Sequence, residues 1–300
     1  MELLRTPDSA FDGLVGFDDE PHYAEVPASD GGSLRMAWVE AGPATGPPVL
    51  LLHGEPTWSF LYRGMLRPLA DAGLHAIAVD LVGFGRSDKP AGIADHSFAR
   101  HVEWMRALLF DVLDLRGLTL VGQDWGGLIG LRLVAEHPDR FDYVVAANTG
   151  LPTGDQNMPE VWHQFRQAIQ SAPTLDIARF VAAGCVRGLS PEARAGYDAP
   201  FPDESFKAGP RAMPGLVPYR PDDPASEANR RAWKVLSAWD KPFLTAFSDS
   251  DPITGAMAPI LRRTIPGAAG LEHPTITRAG HFLQEDAPTD LAAAIIAFRS

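Results

Sequence analysis

The hexapeptide Gly122-Gln123-Asp124-Trp125-Gly126-Gly127 joins an apolar run, Leu118 to Gly122, directly to a helical pattern, Gly127 to His137, that Pro138 stops. Passing from strand to helix in so few residues demands a sharp, strained turn, and glycines at both flanks give it room. The segment matches the G-x-S-x-G elbow that lifts a nucleophile above a sheet, with Asp in place of Ser. A carboxylate held there stays ionised, because the helix dipole and the free N–H groups of the first turn favour negative charge. Two readings are open on this segment alone: an attacking carboxylate, or a Gly-rich turn in which Asp124 only caps the helix. No Ser or Cys is flanked by Gly two residues before and two after, and no Walker A or G-x-G-x-x-G pattern is present.

The elbow sits in an alternation of short apolar runs and amphipathic stretches, the mark of a mostly parallel sheet flanked by helices. Leu34 to Glu40, Pro48 to Leu52, Ala76 to Asp80, Leu118 to Gly122 and Tyr143 to Asn148 read as strands. Ser59 to Ala72, Phe98 to Leu113 and Gly127 to His137 read as helices between them. After Gly150 the rhythm breaks into a Pro-, Ala- and aromatic-rich stretch with helical patches and no convincing strand. It returns with strands at Pro242 to Ser248 and Pro274 to Thr277 and helices at Ala256 to Arg263 and Ala287 to Phe298. The expected organisation is an α/β core over 1–150 and 232–300, interrupted by a helical cap over 151–231.

Composition narrows the partners. Among 300 residues, 45% are hydrophobic and 21% charged, an ordinary globular balance with apolar material for a sizeable core. The 26 Lys and Arg against 38 Asp and Glu leave a net charge of −12, a field that repels phosphate backbones and anionic bilayers. The longest apolar runs, such as Leu291 to Phe298, fall far short of the roughly 20 residues a spanning helix needs. Met1 to Pro7 lacks the basic flank and apolar stretch of a signal peptide, so the expectation is a soluble cytoplasmic protein without nucleic-acid or membrane partners. Cys185 is the only cysteine, which excludes an intrachain disulfide and a Cys-based metal cluster and reads as a small buried hydrophobe.

An elbow nucleophile on such a sheet needs an acid and a His later in the chain, in that order, on loops at the C-terminal edge. Asp251 follows the strand Phe243 to Phe247, and His281 follows the strand near Ile276. Of nine His residues, His281 alone combines a preceding Gly with a post-strand loop near the C-terminus. Asp249 is the rival acid; Asp251, further along the loop and directly before Pro252, is better placed to reach across. The loop His53-Gly54-Glu55-Pro56, after the strand Val49 to Leu52, supplies the other expected element: the backbone N–H groups of Glu55 and Trp125 form an oxyanion hole.

With these motifs in view, the chain resembles the haloalkane dehalogenases over nearly its whole length. The likeness is carried by His53-Gly54-Glu55-Pro56-Thr57-Trp58-Ser59, by Asp80-Leu81-Val82-Gly83-Phe84-Gly85-Arg86-Ser87-Asp88-Lys89-Pro90, by the elbow and by Gly280-His281-Phe282. It is most similar to the branch that places its acid after the seventh strand, since Asn148 is neutral and Asp251 supplies the acid. The resemblance implies an α/β-hydrolase fold: a mostly parallel eight-stranded sheet with helices on both faces and an inserted helical cap. It also implies hydrolysis of small haloalkanes to alcohol plus halide through a covalent ester on Asp124, with His281 and Asp251 serving the second step. No metal or organic cofactor is implied, and the expected state is a monomer meeting only substrate, water and halide. Trp125 would bind the halide. The branch takes a second halide-binding Trp from the first cap helix, where Phe165 aligns; Trp162, three residues earlier on the same helical face, is the candidate to replace it, and otherwise it packs the cap onto the core. The alternative is an epoxide hydrolase with the same Asp/His/Asp set and cap tyrosines Tyr197 and Tyr219.

Overall fold

Parallel strands at the middle of a sheet are covered by helices on both faces, so their runs are apolar throughout rather than alternating. In the computed structural model, which describes residues 1–28 and 30–300, the main sheet follows this rule. Its strands are β1 (Pro21–Pro27), β2 (Ser33–Ala41), β3 (Pro48–Leu52), β4 (His75–Asp80), β5 (Leu118–Gln123), β6 (Phe141–Ala147) and β7 (Phe243–Thr245). β4 and β5 are buried at every position. The order is β1-β2-β4-β3-β5-β6-β7, antiparallel at β1–β2–β4 and parallel from there on.

The eighth strand, β8 (Thr275–Ile276), stands outside this seven-stranded ladder. It pairs in parallel with Phe247–Ser248, the continuation of β7 beyond Ala246. β1 has no counterpart in the sequence reading, because this edge strand begins and ends on Pro and buries only Val26 fully. The helix expected over Ser59 to Ala72 begins as a 3-10 turn, Ser59–Tyr62, before Arg63–Asp71. That over Phe98 to Leu113 widens into a π-helical turn at Ala107–Val112.

Beyond Gly150 the chain forms the helices Glu160–Ser171, Ile177–Ala183, Pro191–Asp198, Ala208–Leu216 and Ser226–Leu236. The end set at 231 falls inside the last of these. The Trp58 indole donates to the Gly196 carbonyl at 2.9 Å, and Asp286 accepts from the backbone N–H groups of Val186 and Arg187. These bonds set the helical segment over the ends of β3, β5, β7 and β8, where the loops carrying Glu55, Asp124, Asp251 and His281 emerge. Lys89 is buried and donates to the Gly85 and Ser87 carbonyls, so the Asp80 to Pro90 motif is a loop scaffold. No helix among the described residues is long and apolar enough to cross a membrane.

Candidate active site

At the end of β5 the backbone turns through Asp124 with φ 49° and ψ −123°, a left-handed conformation, and enters the helix Trp125–Glu136. The flanking glycines are required by contact. A Cβ on Gly122 would stand 2.7 Å from the Gly127 Cα, and one on Gly126 would overlap the Leu52 carbonyl. The Asp124 side chain makes no capping bond to its helix. Its Oδ1 instead accepts the backbone N–H of Glu55 at 2.9 Å, and Gly54 allows this because a Cβ there would overlap the carboxylate.

His281 is buried beside this carboxylate. Its Nε2 lies 3.5 Å from Asp124 Oδ2, and its Nδ1–H donates to Asp251 Oδ2 at 3.1 Å. Burial pushes the imidazole pKa down, but the charge of Asp251 and the hydrogen bond and charge of Asp124 outweigh it and raise it to about 10. Burial likewise works against the charged form of Asp251. The neighbouring His281 and the donors of Thr254 and Ile253 prevail and lower it to about 2. Asp249 does not reach His281; it accepts the backbone N–H groups of Arg278 and Ala279 and ties down the loop after β8. Asn148, at the end of β6, donates to the carbonyls of Gly280 and His281 and accepts from Ser248 N–H, so it holds the His281 loop.

Asp124 and His281 open into a cavity of about 440 Å³ with a largely apolar wall that includes Trp125, Trp162, Phe165, Phe180 and Ile253. Neither the Trp125 nor the Trp162 indole N–H has a hydrogen-bond partner among the described residues, and neither is sealed in protein as those of Trp104 and Trp239 are. Phe165 reaches the same wall with its ring alone, edge-on to Phe180. Trp162 also packs against Tyr219 within the cap, so packing and lining are both met by one side chain. The Glu55 carboxyl lies in the wall as well. Burial and the adjacent Asp124 charge push its pKa well up. Cys185 is half-buried and lines the cavity too, with its thiol pKa pushed up by burial. Among the described residues no cluster of His, Cys, Asp and Glu is arranged to hold a metal ion.

A family model for the alpha/beta hydrolase fold matches residues 47–288. The haloalkane dehalogenase of Mycobacterium marinum is 52% identical over 299 residues, covering all of both chains. That of Psychrobacter cryohalolentis is 51% identical over 99% of this chain and 98% of its own. The chain belongs to the haloalkane dehalogenases. Among solved haloalkane dehalogenases, the tetrameric DpaA of Paraglaciecola agarilytica superimposes with a TM-score of 0.91 at 34% identity, covering 98% of this chain and 97% of DpaA.

In this haloalkane dehalogenase Glu55, Asp124, Trp125, Trp162 and His281 line one cavity, and Asp251 stands behind them, bonded to His281 Nδ1. Nothing favours the epoxide hydrolase alternative: the relatives are named haloalkane dehalogenases, and Tyr197 and Tyr219 do not line the cavity. Tyr197 is fully buried and donates its hydroxyl to Glu285 at 2.7 Å, while Tyr219 packs against Trp162 and beneath Arg166. Two polar residues at the site, Gln123 and Asn148, carried no sequence signal as partners of His281. Gln123 ends β5 and Asn148 follows β6, but only the closing of these strands against the loop after β8 brings them to it.

Proposed function

We propose that the chain hydrolyses small haloalkanes to alcohol and halide through an ester on Asp124. One observation carries this: a half-buried carboxylate held by a single backbone N–H and two unpartnered indole N–H groups line the same apolar cavity. Asp124 Oδ2 attacks the halogen-bearing carbon in line, the carbon–halogen bond breaks, and the halide takes both bonding electrons. The indole N–H groups of Trp125 and Trp162 replace part of its lost hydration without adding charge. Trp162 is the second donor; Phe165 has none to offer.

The ester is then opened by water. Its proton passes to His281 Nε2 as the oxygen bonds to the carboxyl carbon of Asp124, and Asp251 holds the ring in the Nδ1–H tautomer. The developing oxyanion on Oδ1 meets the N–H groups of Glu55 and Trp125. Collapse breaks the bond from carbon to the alkyl oxygen, which takes the proton back from Nε2 and leaves as alcohol. The second water proton, left on the Asp124 carboxyl, passes to Nε2 and restores the resting ion pair, the proton Nε2 gave up after ester formation leaving with the halide. Residues 151–231 serve as the cap that closes the cavity and sets its volume. We read the enzyme as a cytoplasmic monomer without cofactor; light scattering on the purified protein tests the oligomeric state, since DpaA is a tetramer. The direct test is halide release from a panel of short bromo- and chloroalkanes. A folded protein that releases none of them overturns the proposal.

A further inference from the structure

Gln123 immediately precedes Asp124 and is buried completely. Its Nε2 lies 3.2 Å from the His281 carbonyl oxygen and 3.2 Å from His281 Nε2, while its Oε1 is buried without a partner. The carbonyl accepts only, so the nitrogen of the amide must face it; turning the amide over would set two oxygens against each other. With one amide hydrogen spent on the carbonyl, the second points at Nε2. A donor aimed at a ring nitrogen favours the form in which that nitrogen is bare.

We propose that Gln123 is a positioning residue for His281, aiming an amide N–H at Nε2 so that this nitrogen stays a bare acceptor once Asp124 has become an ester. The inference rests on reading His281 as the base of the second step. In the resting enzyme the carboxylates of Asp251 and Asp124 hold a proton on the ring, which suits an ion pair but not a base. Alkylation turns Asp124 into a neutral ester and removes one of the two charges. What then faces the ring is Asp251 at Nδ1, the Gln123 amide at Nε2, the Phe282 ring and, in the lining of the same cavity, the Glu55 carboxyl, whose pKa burial pushes up, and the Cys185 thiol. Burial and the amide donor together move the imidazole toward the working pH, where a general base is most effective. The unbonded Oε1 fits a side chain placed for what its nitrogen does.

Gln123→Leu deletes the donor at similar volume. It strands neither the His281 carbonyl, which keeps the Asn148 amide at 3.0 Å, nor an amide oxygen that had no partner to lose. Rapid-quench kinetics with 1,2-dibromoethane separate formation of the ester from its decay. The acid limb of ester decay is expected to rise by about one pH unit, slowing decay about tenfold near neutral pH, with alkylation changed less than about twofold. A decay slowed equally at every pH, or not slowed at all, overturns the inference. A second measurement needs no turnover: nitrogen-15 NMR of His281 in Asp124→Asn, whose neutral amide stands in for the ester. The ring is expected to be neutral and Nδ1-protonated near neutral pH, and its pKa to rise by about one unit when Gln123→Leu is added. An unchanged pKa overturns the inference. His281→Gln distinguishes the two levels. If it accumulates ester while Gln123→Leu leaves the acid limb in place, only the role of Gln123 falls; if it accumulates none, the base reading falls and takes this one with it.

Discussion

Asp124 Oδ1 and the backbone N–H of Glu55, 69 residues apart in the chain, meet at 2.9 Å. The donor that would receive the oxyanion is therefore already seated on the carboxylate before substrate arrives, which is how an electrostatic site avoids reorganisation during reaction. That contact depends on Gly54, where any Cβ overlaps the Asp124 side chain. Gly54→Ala is expected to slow ester hydrolysis at least about tenfold by displacing this donor. Halide release and a thermal melt on the same sample check it; full activity in a folded variant would remove the Glu55 N–H from the mechanism.

The two half-reactions are separable through His281. Asp124→Asn, isosteric but without the attacking charge, is expected to lose at least about a thousandfold in turnover when freshly prepared. His281→Gln keeps the nucleophile and loses the base, so it should trap the ester. Mass spectrometry after incubation with 1,2-dibromoethane would then show one bromoethyl adduct on Asp124. An unmodified His281→Gln protein that still binds substrate contradicts the covalent scheme.

The halide site predicts a pattern across three aromatic residues. Trp125→Phe keeps a ring and deletes a donor, so carbon–halogen cleavage is expected to slow by roughly ten- to a thousandfold. Trp162→Phe should cost a similar factor, because its N–H opens on the same cavity, whereas Phe165→Leu alters only wall shape. Bromide quenching of tryptophan fluorescence reports the site directly. Quenching and cleavage that survive both Trp substitutions would move the halide elsewhere.

Stability should carry the signature of the His281 and Asp251 pair. The His281 pKa is raised from an ordinary 6.5 to about 10, so its contribution is fully present below the lower value and is lost as pH climbs toward the upper. The Asp251 pKa is depressed from an ordinary 3.8 to about 2, so its contribution is present above the first value and is lost as pH falls toward the second. The wild type's advantage over His281→Gln in urea melts should therefore shrink from about pH 6 to about pH 10. Asp124→Asn, which removes one of the charges that raise the imidazole, should move that loss to lower pH. An advantage undiminished at about pH 10 would show that His281 carries no such shift.

The elbow, the strands β3, β4 and β5 and the place of His281 on a loop after a strand were legible in the chain because they are local facts. A left-handed turn between two glycines, a run buried on both faces and a Gly-His after a strand each need only their own few residues. Other features depended on closure. Asp251 faces His281 while Asp249 bonds the loop after β8, a difference of two positions that spacing does not resolve. Trp162 and Phe165 share a helical face, and Tyr197 and Tyr219 share a cap; only packing aims the first pair into the cavity and buries the second pair's contacts elsewhere. Gln123 and Asn148 read as ordinary strand-end polar residues until the loop after β8, more than a hundred residues on, folds back to them. Backbone turns and burial patterns are encoded by neighbours in sequence, whereas which polar atom meets which across such a distance is set by loop closure and packing, and therefore appears only in the tertiary structure.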